Sequence, residues 1–233
     1  MNASERDDCL AALARGALDR LSAPVLARFL ADWPSASELP VRRPEPVAPA
    51  PSSAAPSSAA PSSAAPSSAA PALPVLRWLP RIAADGASFG GAFVSALCRA
   101  APSLAWRQSY TRDEVDAAFL QNYGWTELLR AAAMRQPKRT SAQISCGVVV
   151  LGPGTLYPHH RHEAEEIYVP LSGTAAWQQG DAVWREHAPG TLIHHLSEEP
   201  HAMRTGEEPL LALYLWRSSD LAQKARLDRR VSA

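Results

Sequence analysis

The stretch Gly154-Thr-Leu-Tyr157-Pro-His-His160-Arg-His162-Glu-Ala-Glu-Glu166-Ile-Tyr168-Val-Pro-Leu-Ser-Gly173 holds two histidines and a glutamate at metal-ligand spacing between two glycines. His160 and His162 are two apart, so on a strand, where side chains alternate faces, both imidazoles point the same way. Glu166 opens the run Glu-Ile-Tyr-Val-Pro-Leu, whose β-branched and aromatic content predicts a second strand. Two imidazoles and a carboxylate suit a first-row divalent ion that keeps coordination positions open for substrate. Gly154 and Gly173 fall where sharp turns need φ > 0, which glycine supplies. A solvated His-rich turn is the bland alternative, and it has to meet every fixed position of Gly-x5-His-x-His-x3-Glu-x6-Gly by chance.

Outward from this stretch the signal is strand-like. Ile144 to Leu151 is rich in valine, and further runs follow at residues 174–178, 182–186, 191–196 and 210–216. Gly180-Asp181 between two of them predicts a hairpin. Eight or so short strands at close spacing suit a barrel or jelly roll.

Upstream the pattern changes. Residues 74–135 read mainly as helix, with an apolar, small-residue run at 91–101 and a capping box at Thr111-Arg-Asp-Glu114 expected to open a helix through Phe119. Residues 44–74 are dominated by Pro, Ala and Ser, a composition that cannot bury a core and predicts an extended spacer. Before it, Leu10, Leu13, Leu18, Leu21, Val25, Leu26, Phe29 and Leu30 recur at helical spacing and predict one or two amphipathic helices. Their apolar face needs a partner: the strand domain, a second protomer in a homo-oligomer, or another protein. The chain thus divides into a helical extension (1–43), a linker (44–74), a helical cover (75–140), a strand domain (141–220) and a tail (221–233).

Composition narrows the ligand. The 233 residues carry 23 basic and 23 acidic side chains with no basic stripe, so neither nucleic acid nor an anionic membrane is the expected partner. A small neutral or zwitterionic molecule fits better. The charged N-terminus lacks an apolar core region and no long apolar run occurs, which makes a cytoplasmic location the expectation. Cys9, Cys98 and Cys146 are odd in number and far apart, as small buried hydrophobes would be, and do not suggest a disulfide framework.

The glycine-bounded pattern resembles the first motif of the cupin family, small antiparallel β-barrels of jelly-roll type with a metal in the mouth. The resemblance implies a mainly β fold with the helices as its N-terminal cover. Cupins take a further ligand from a second motif that begins with a proline-glycine turn, here Pro189-Gly190. His201 in Glu-Glu-Pro-His-Ala-Met-Arg fits that place best, and His194 or His195 remains the alternative. Tyr168 lies two residues after Glu166, on the same strand face, and Tyr157 precedes the His pair by three. A phenol ordinarily titrates near pKa ~10, but a neighbouring divalent cation favours its anion, so either tyrosine could serve as a general base. Each could equally be a wall residue with a bonded hydroxyl.

The run Tyr157 to Tyr168, the following Leu-Ser-Gly-Thr-Ala-Ala-Trp177, Pro200-His201-Ala-Met-Arg204 and Leu213-Tyr-Leu-Trp216 resemble the cupin-type dimethylsulfoniopropionate lyases over about residues 75 to 220. Those enzymes release dimethyl sulfide, acrylate and a proton. The resemblance implies one divalent transition metal (Zn, Fe, Mn, Co or Ni) on His160, His162, Glu166 and His201. It also implies Tyr168 or Tyr157 as the base and Trp216 in the substrate wall. Aromatic faces attract a sulfonium as they attract quaternary ammonium, which adds Tyr214, Trp177 and Trp184 as candidates. Packing competes with that role for Trp177 and Trp184. An iron-dependent oxygenase would use the same ligands and consume dioxygen, and a non-catalytic binding cupin would need no metal at all.

Overall fold

The computed structural model describes residues 3–34, 72–131 and 143–228. The Pro/Ala/Ser stretch, save its last three residues, lies outside them. Among the described residues, ten strands form two five-stranded antiparallel sheets. The first has the order β1 (Tyr123–Ala131), β2 (Gln143–Leu151), β9 (Leu210–Ser218), β4 (Glu165–Ser172), β7 (Ile193–His195). The second runs β10 (Arg226–Leu227), β3 (Leu156–Arg161), β8 (His201–Thr205), β5 (Ala175–Gln179), β6 (Arg185–His187). No ladder joins the two sheets among the described residues, so the jelly roll is a sandwich with open edges. The mainly β fold with an N-terminal helical cover is as expected.

The first sheet is buried on both faces, and strict alternation decides which residues serve which. Cys146, Val148, Val150, Ile167, Val169, Leu211, Leu213 and Leu215 face outward into a core shared with the helices. Val149, Tyr168, Ala212 and Tyr214, the residues between them, face the second sheet. The outer core is completed by α1 (Ala3–Leu18), α2 (Pro24–Ala31), α3 (Leu79–Ala83) and α4 (Gly91–Ala100). The extension forms two helices, the second opened by Pro24 in the first turn of α2. Leu10, Leu18, Leu26 and Phe29 are all buried. Much of the apolar face of the extension is therefore covered by the chain itself, in a core shared with α4 and the first sheet, while Leu13, Leu21, Val25 and Leu30 are partly buried.

Two expectations are corrected. Tyr123–Ala131 is the edge strand β1, not helix: Tyr123, Trp125 and Glu127 alternate with Gly124, Thr126 and Leu128, and pairing with β2 outweighs the helical propensity of its leucines. The Thr111 box forms only as a turn. Thr111 N–H donates to Glu114, but the helix is α5 (Ala117–Gln121), capped by Asp116, whose carboxylate accepts from Phe119 N–H at 2.6 Å. Within the tail, β10 pairs with β3. The hairpin at Gly180 forms between β5 and β6, and Gly154 and Gly173 do take positive φ (62° and 78°). A Cβ on Gly173 would lie 2.1 Å from the Pro209 carbonyl oxygen. No described helix is long and apolar enough to cross a membrane.

Candidate active site

His160 on β3, His162 just beyond it and His201 on β8 converge between the sheets, all buried, with ligand nitrogens within 4.8 Å of one another. Register brings them together, since His160 pairs directly with His201. Each imidazole is held the same way. Nδ1 of His160 lies 2.9 Å from the Pro158 carbonyl, that of His162 2.8 Å from the Ala164 carbonyl, and that of His201 2.8 Å from the Glu199 carbonyl. A carbonyl only accepts, so each Nδ1 carries the proton and each Nε2 turns a lone pair into the site. Metal-binding histidines are oriented in this manner.

Glu166, from β4 of the opposite sheet, completes the group. Its Oε2 is 3.0 Å from His162 Nε2 and 3.2 Å from His201 Nε2, and its Oε1 accepts from Trp216 Nε1 at 2.6 Å. Lone pairs facing a carboxylate at this range need a cation between them, either a proton or a metal. His201 Nε2 is buried without a hydrogen-bond partner, and a divalent ion would satisfy it together with the other two nitrogens. These residues therefore fit such an ion. Burial alone would raise the Glu166 carboxyl, but the charge and hydrogen bond of His162, with His201, hold it well below the carboxylate range. Burial lowers His160 well below the ordinary imidazole value. Burial lowers His162 too, yet the Glu166 carboxylate more than offsets it.

The alternatives to His201 separate on tautomer and direction. His195 stacks on His201 (ring centroids 4.0 Å, 13° apart), but Gln179 donates to its Nδ1 at 3.3 Å, which leaves the proton on Nε2. Burial, then the neighbouring His201, push His195 down to about 2, so it is a neutral imidazole, and its Nε2 is buried without a hydrogen-bond partner as that of His201 is. His194 points out of the sandwich to Glu165, at 2.8 Å.

A cavity of about 370 Å³ opens beside the cluster, walled by Tyr123, Tyr157, Tyr168, Tyr214, Trp125 and Trp216 with Glu166 at its base. A second cavity, of about 340 Å³, lies beside α5 and borders neither Glu166 nor Tyr157 and Tyr168; the histidines line neither cavity, and Glu166 is the link between the first cavity and the imidazoles. All five tyrosines of the chain belong to the inner cluster. Strand alternation alone would set Tyr157 and His160 on opposite faces. A bulge in β3 against β8 turns both inward, so that their rings stack at 4.0 Å. The Tyr157 hydroxyl is 3.0 Å from that of Tyr110. Tyr168 lies beside Glu166, its ring 6.4 Å from His201. Burial first, then Glu166, raise the Tyr168 phenol well above its usual value, and burial with the Tyr110 phenol does the same to Tyr157.

Tyr214 and Trp216 border the cavity as expected. Trp177 does not: it is fully buried on β5 opposite Met203, where its bulk fills the core. Trp184 lies outside, under the Arg204 guanidinium at 4.7 Å. The cavity residues that sequence reading missed are Tyr123, Trp125 and Glu127, which lie on β1 where helix is expected. The alternation Tyr-x-Trp-x-Glu is the signal that could have found them.

Comparison with known proteins agrees with this geometry. A family model for dimethylsulfoniopropionate lyase matches residues 54–212, more than half of the chain. The dimethylsulfoniopropionate lyase DddQ of Ruegeria pomeroyi is 34% identical over 112 residues, which are 48% of this chain and 54% of that protein. The match thus spans about half of that relative. A solved chain from work on the dimethylsulfoniopropionate lyases RdDddP and RnDddQII superposes over 97% of this chain and 100% of its own, with TM-score 0.70 and 29% identity. The crystal structure of Ruegeria pomeroyi DddQ superposes over 96% of each chain, with TM-score 0.66 and 26% identity. On the extent of the family match and the site it encloses, the chain belongs to the dimethylsulfoniopropionate lyase family.

Proposed function

We propose that the protein is a dimethylsulfoniopropionate lyase working by β-elimination with a tyrosine base. The observation that carries the reading is the convergence of three buried imidazoles on one carboxylate, Glu166, which also lines a tyrosine- and tryptophan-walled cavity, in a member of this family. One divalent transition metal, of the Zn, Fe, Mn, Co or Ni class, held by His160, His162, Glu166 and His201, would supply Lewis-acid polarisation of the substrate carboxylate.

The chain's own residues do the rest. Tyr168, beside Glu166, takes the proton from the carbon next to the carboxylate. The C–H electron pair becomes the new C=C bond of acrylate. The C–S pair leaves with sulfur, and the sulfonium departs as neutral dimethyl sulfide. Tyr157 is the weaker candidate for the base, because its hydroxyl is engaged by Tyr110 and its ring is stacked on His160. It orients that imidazole and closes the wall. Burial holds both phenols in the protonated form, so the base is masked until the cationic site is complete. Trp216 and Tyr214 offer faces to the sulfonium.

The test is headspace detection of dimethyl sulfide from metal-loaded protein and dimethylsulfoniopropionate. Tyr168→Phe should lower kcat by about 10²- to 10⁴-fold, as loss of a general base does, with KM little changed. His162→Ala should lose both metal and activity. A metal-loaded wild type that released no dimethyl sulfide would sink the lyase reading. Near-wild-type turnover in Tyr168→Phe beside an inactive Tyr157→Phe would transfer the base to Tyr157.

A further inference from the structure

Each of the three clustered imidazoles has an aromatic ring against its face. Tyr157 stacks on His160 with ring centroids 4.0 Å and planes 7° apart, Trp216 lies against His162 at 4.3 Å and 36°, and His195 stacks on His201 at 4.0 Å and 13°. Tyr157 and Trp216 also wall the larger cavity, whereas His195 borders neither cavity. Its Nε2 is buried without a hydrogen-bond partner, yet the nitrogens that close within 4.8 Å of one another are those of His160, His162 and His201. His195 thus touches the cluster without lining the space open to substrate.

Backbone register shows what His195 joins. On the first sheet it pairs, from β7, with Glu166 on β4. On the second, Gln179 of β5 pairs with His201 of β8. The Gln179 side-chain amide reaches across to β7, where it donates to the His194 carbonyl at 2.6 Å and lies 3.3 Å from His195 Nδ1. No ladder joins the two sheets among the described residues. Packed sheets stand about 10 Å apart, so the separation of Glu166 from the histidines opposite is set by side chains that span the gap. The stack on His201 and the link to Gln179 tie the strand beside Glu166 to the strand that carries His201 and to that strand's neighbour. The His195 ring also meets Tyr168 edge-on at 6.0 Å, so it bears on the residue next to Glu166 on the same strand face.

We propose that His195, stacked on His201 and linked to Gln179, is a positioning residue that fixes the spacing between Glu166 on one sheet and His201 on the other, and is not itself a metal ligand. The proposal rests on the metal reading of the cluster. Glu166 Oε2 and His201 Nε2 stand 3.2 Å apart, one from each sheet. A ligand set holds its ion only when each distance falls within about 0.2 Å of the preferred value, so a small slide of one sheet over the other would spoil the site. Groups that orient a ligand from outside the coordination shell contribute about 10- to 100-fold in affinity. A ring that acts through its face needs no nitrogen, which separates this role from ligation.

The test is competition for cobalt between the full-length protein and a chelator, with the visible cobalt spectrum recorded for each variant. His195→Phe keeps a ring face and removes both nitrogens. It should hold cobalt within about threefold of wild type, well short of the loss that a missing orienting group causes, and leave the spectrum unchanged. His195→Leu removes the face and should lose about 10- to 100-fold in affinity. Gln179→Met leaves His195 in place, deletes the amide, and should lose affinity in the same direction. The metal-free unfolding midpoints should not track these losses. Equal losses in His195→Phe and His195→Leu would mean that a nitrogen acts and not the face, and would overturn the proposal. Wild-type affinity in His195→Leu would overturn it too, as would losses that follow the metal-free midpoints. A wild type that took up no cobalt would refute the metal reading on which the proposal rests, whereas each of the other failures leaves that reading standing.

Discussion

Trp216 shows how one side chain serves two ends of a site. Its ring borders the cavity, and its indole N–H donates to Glu166 Oε1 at 2.6 Å, which leaves Oε2 toward the histidines. Trp216→Phe keeps the ring and deletes the donor. Partners that orient a ligand from behind typically contribute about 10- to 100-fold in metal affinity. Competition between the variant and a chelator for cobalt should show a loss of that order, with the thermal unfolding midpoint changed by only a few degrees. An unchanged affinity would mean that Glu166 needs no orienting. The glutamate and both motif histidines were legible in the sequence at this scale because spacing on a strand fixes their direction. Tyr157 was legible as a neighbour, yet its stacking on His160 was not, because it depends on a bulge opposite β8.

At the scale of elements, α2 lies over the outer face of the first sheet, directly behind the site. Arg28 pairs with Glu165 at 2.6 Å, and Asp32 accepts from Arg217 Nε at 2.6 Å. Both partners are chain neighbours of site residues, Glu166 and Trp216. These partly exposed pairs contribute little to stability, of the order of 0–1 kcal/mol each. Phe29, fully buried and edge-on to His194 at 6.5 Å, matters more. Phe29→Ala should destabilise the fold by about 3–5 kcal/mol in urea unfolding. A loss below about 1 kcal/mol would show that α2 does not dock as described.

The loop between α3 and α4 is tied down by Asp85, which accepts from Ser172 Oγ at 2.7 Å and from the Ala87 and Gly173 N–H groups. Burial would raise this carboxyl, but the three bonds together bring it below 3.8. Its folded pKa is therefore lower than its unfolded value near ~3.9, and the unfolded chain binds the proton first. The stabilisation is full above about pH 5 and is lost as pH falls through the folded value. Asp85→Asn should flatten the acid limb of the stability curve between about pH 5 and 2, measured as urea midpoints. An acid limb identical to wild type would refute that role.

Over the whole molecule, burial grades the three free thiols. Cys9 is exposed, Cys98 partly buried and Cys146 fully buried. Burial pushes both the Cys98 and the Cys146 thiols up, Cys146 the further, and the thiolate is the reactive form. Iodoacetamide at pH 8 should label Cys9 first, Cys98 slowly and Cys146 only after denaturation, as mass spectrometry of timed samples would show. Fast labelling of Cys146 in native protein would mean that the outer core is open at β2.

By itself the sequence determined the spacing of His160, His162 and Glu166, the mainly β class, the helical cover and the fitness of the Gly154 to Gly173 stretch for a metal. All of these follow from period and local chemistry within a few residues. Tertiary structure decided what depends on partners distant in the chain. It gathered His160, His162 and His201 into one buried group, because β3 pairs with β8. It drew Tyr123, Trp125 and Glu127 into the cavity by pairing β1 with β2, against the helical look of that segment. It also placed Trp177 in the core while Trp216 lines the site. Both are tryptophans on strands, and only the neighbour across the sheet distinguishes them.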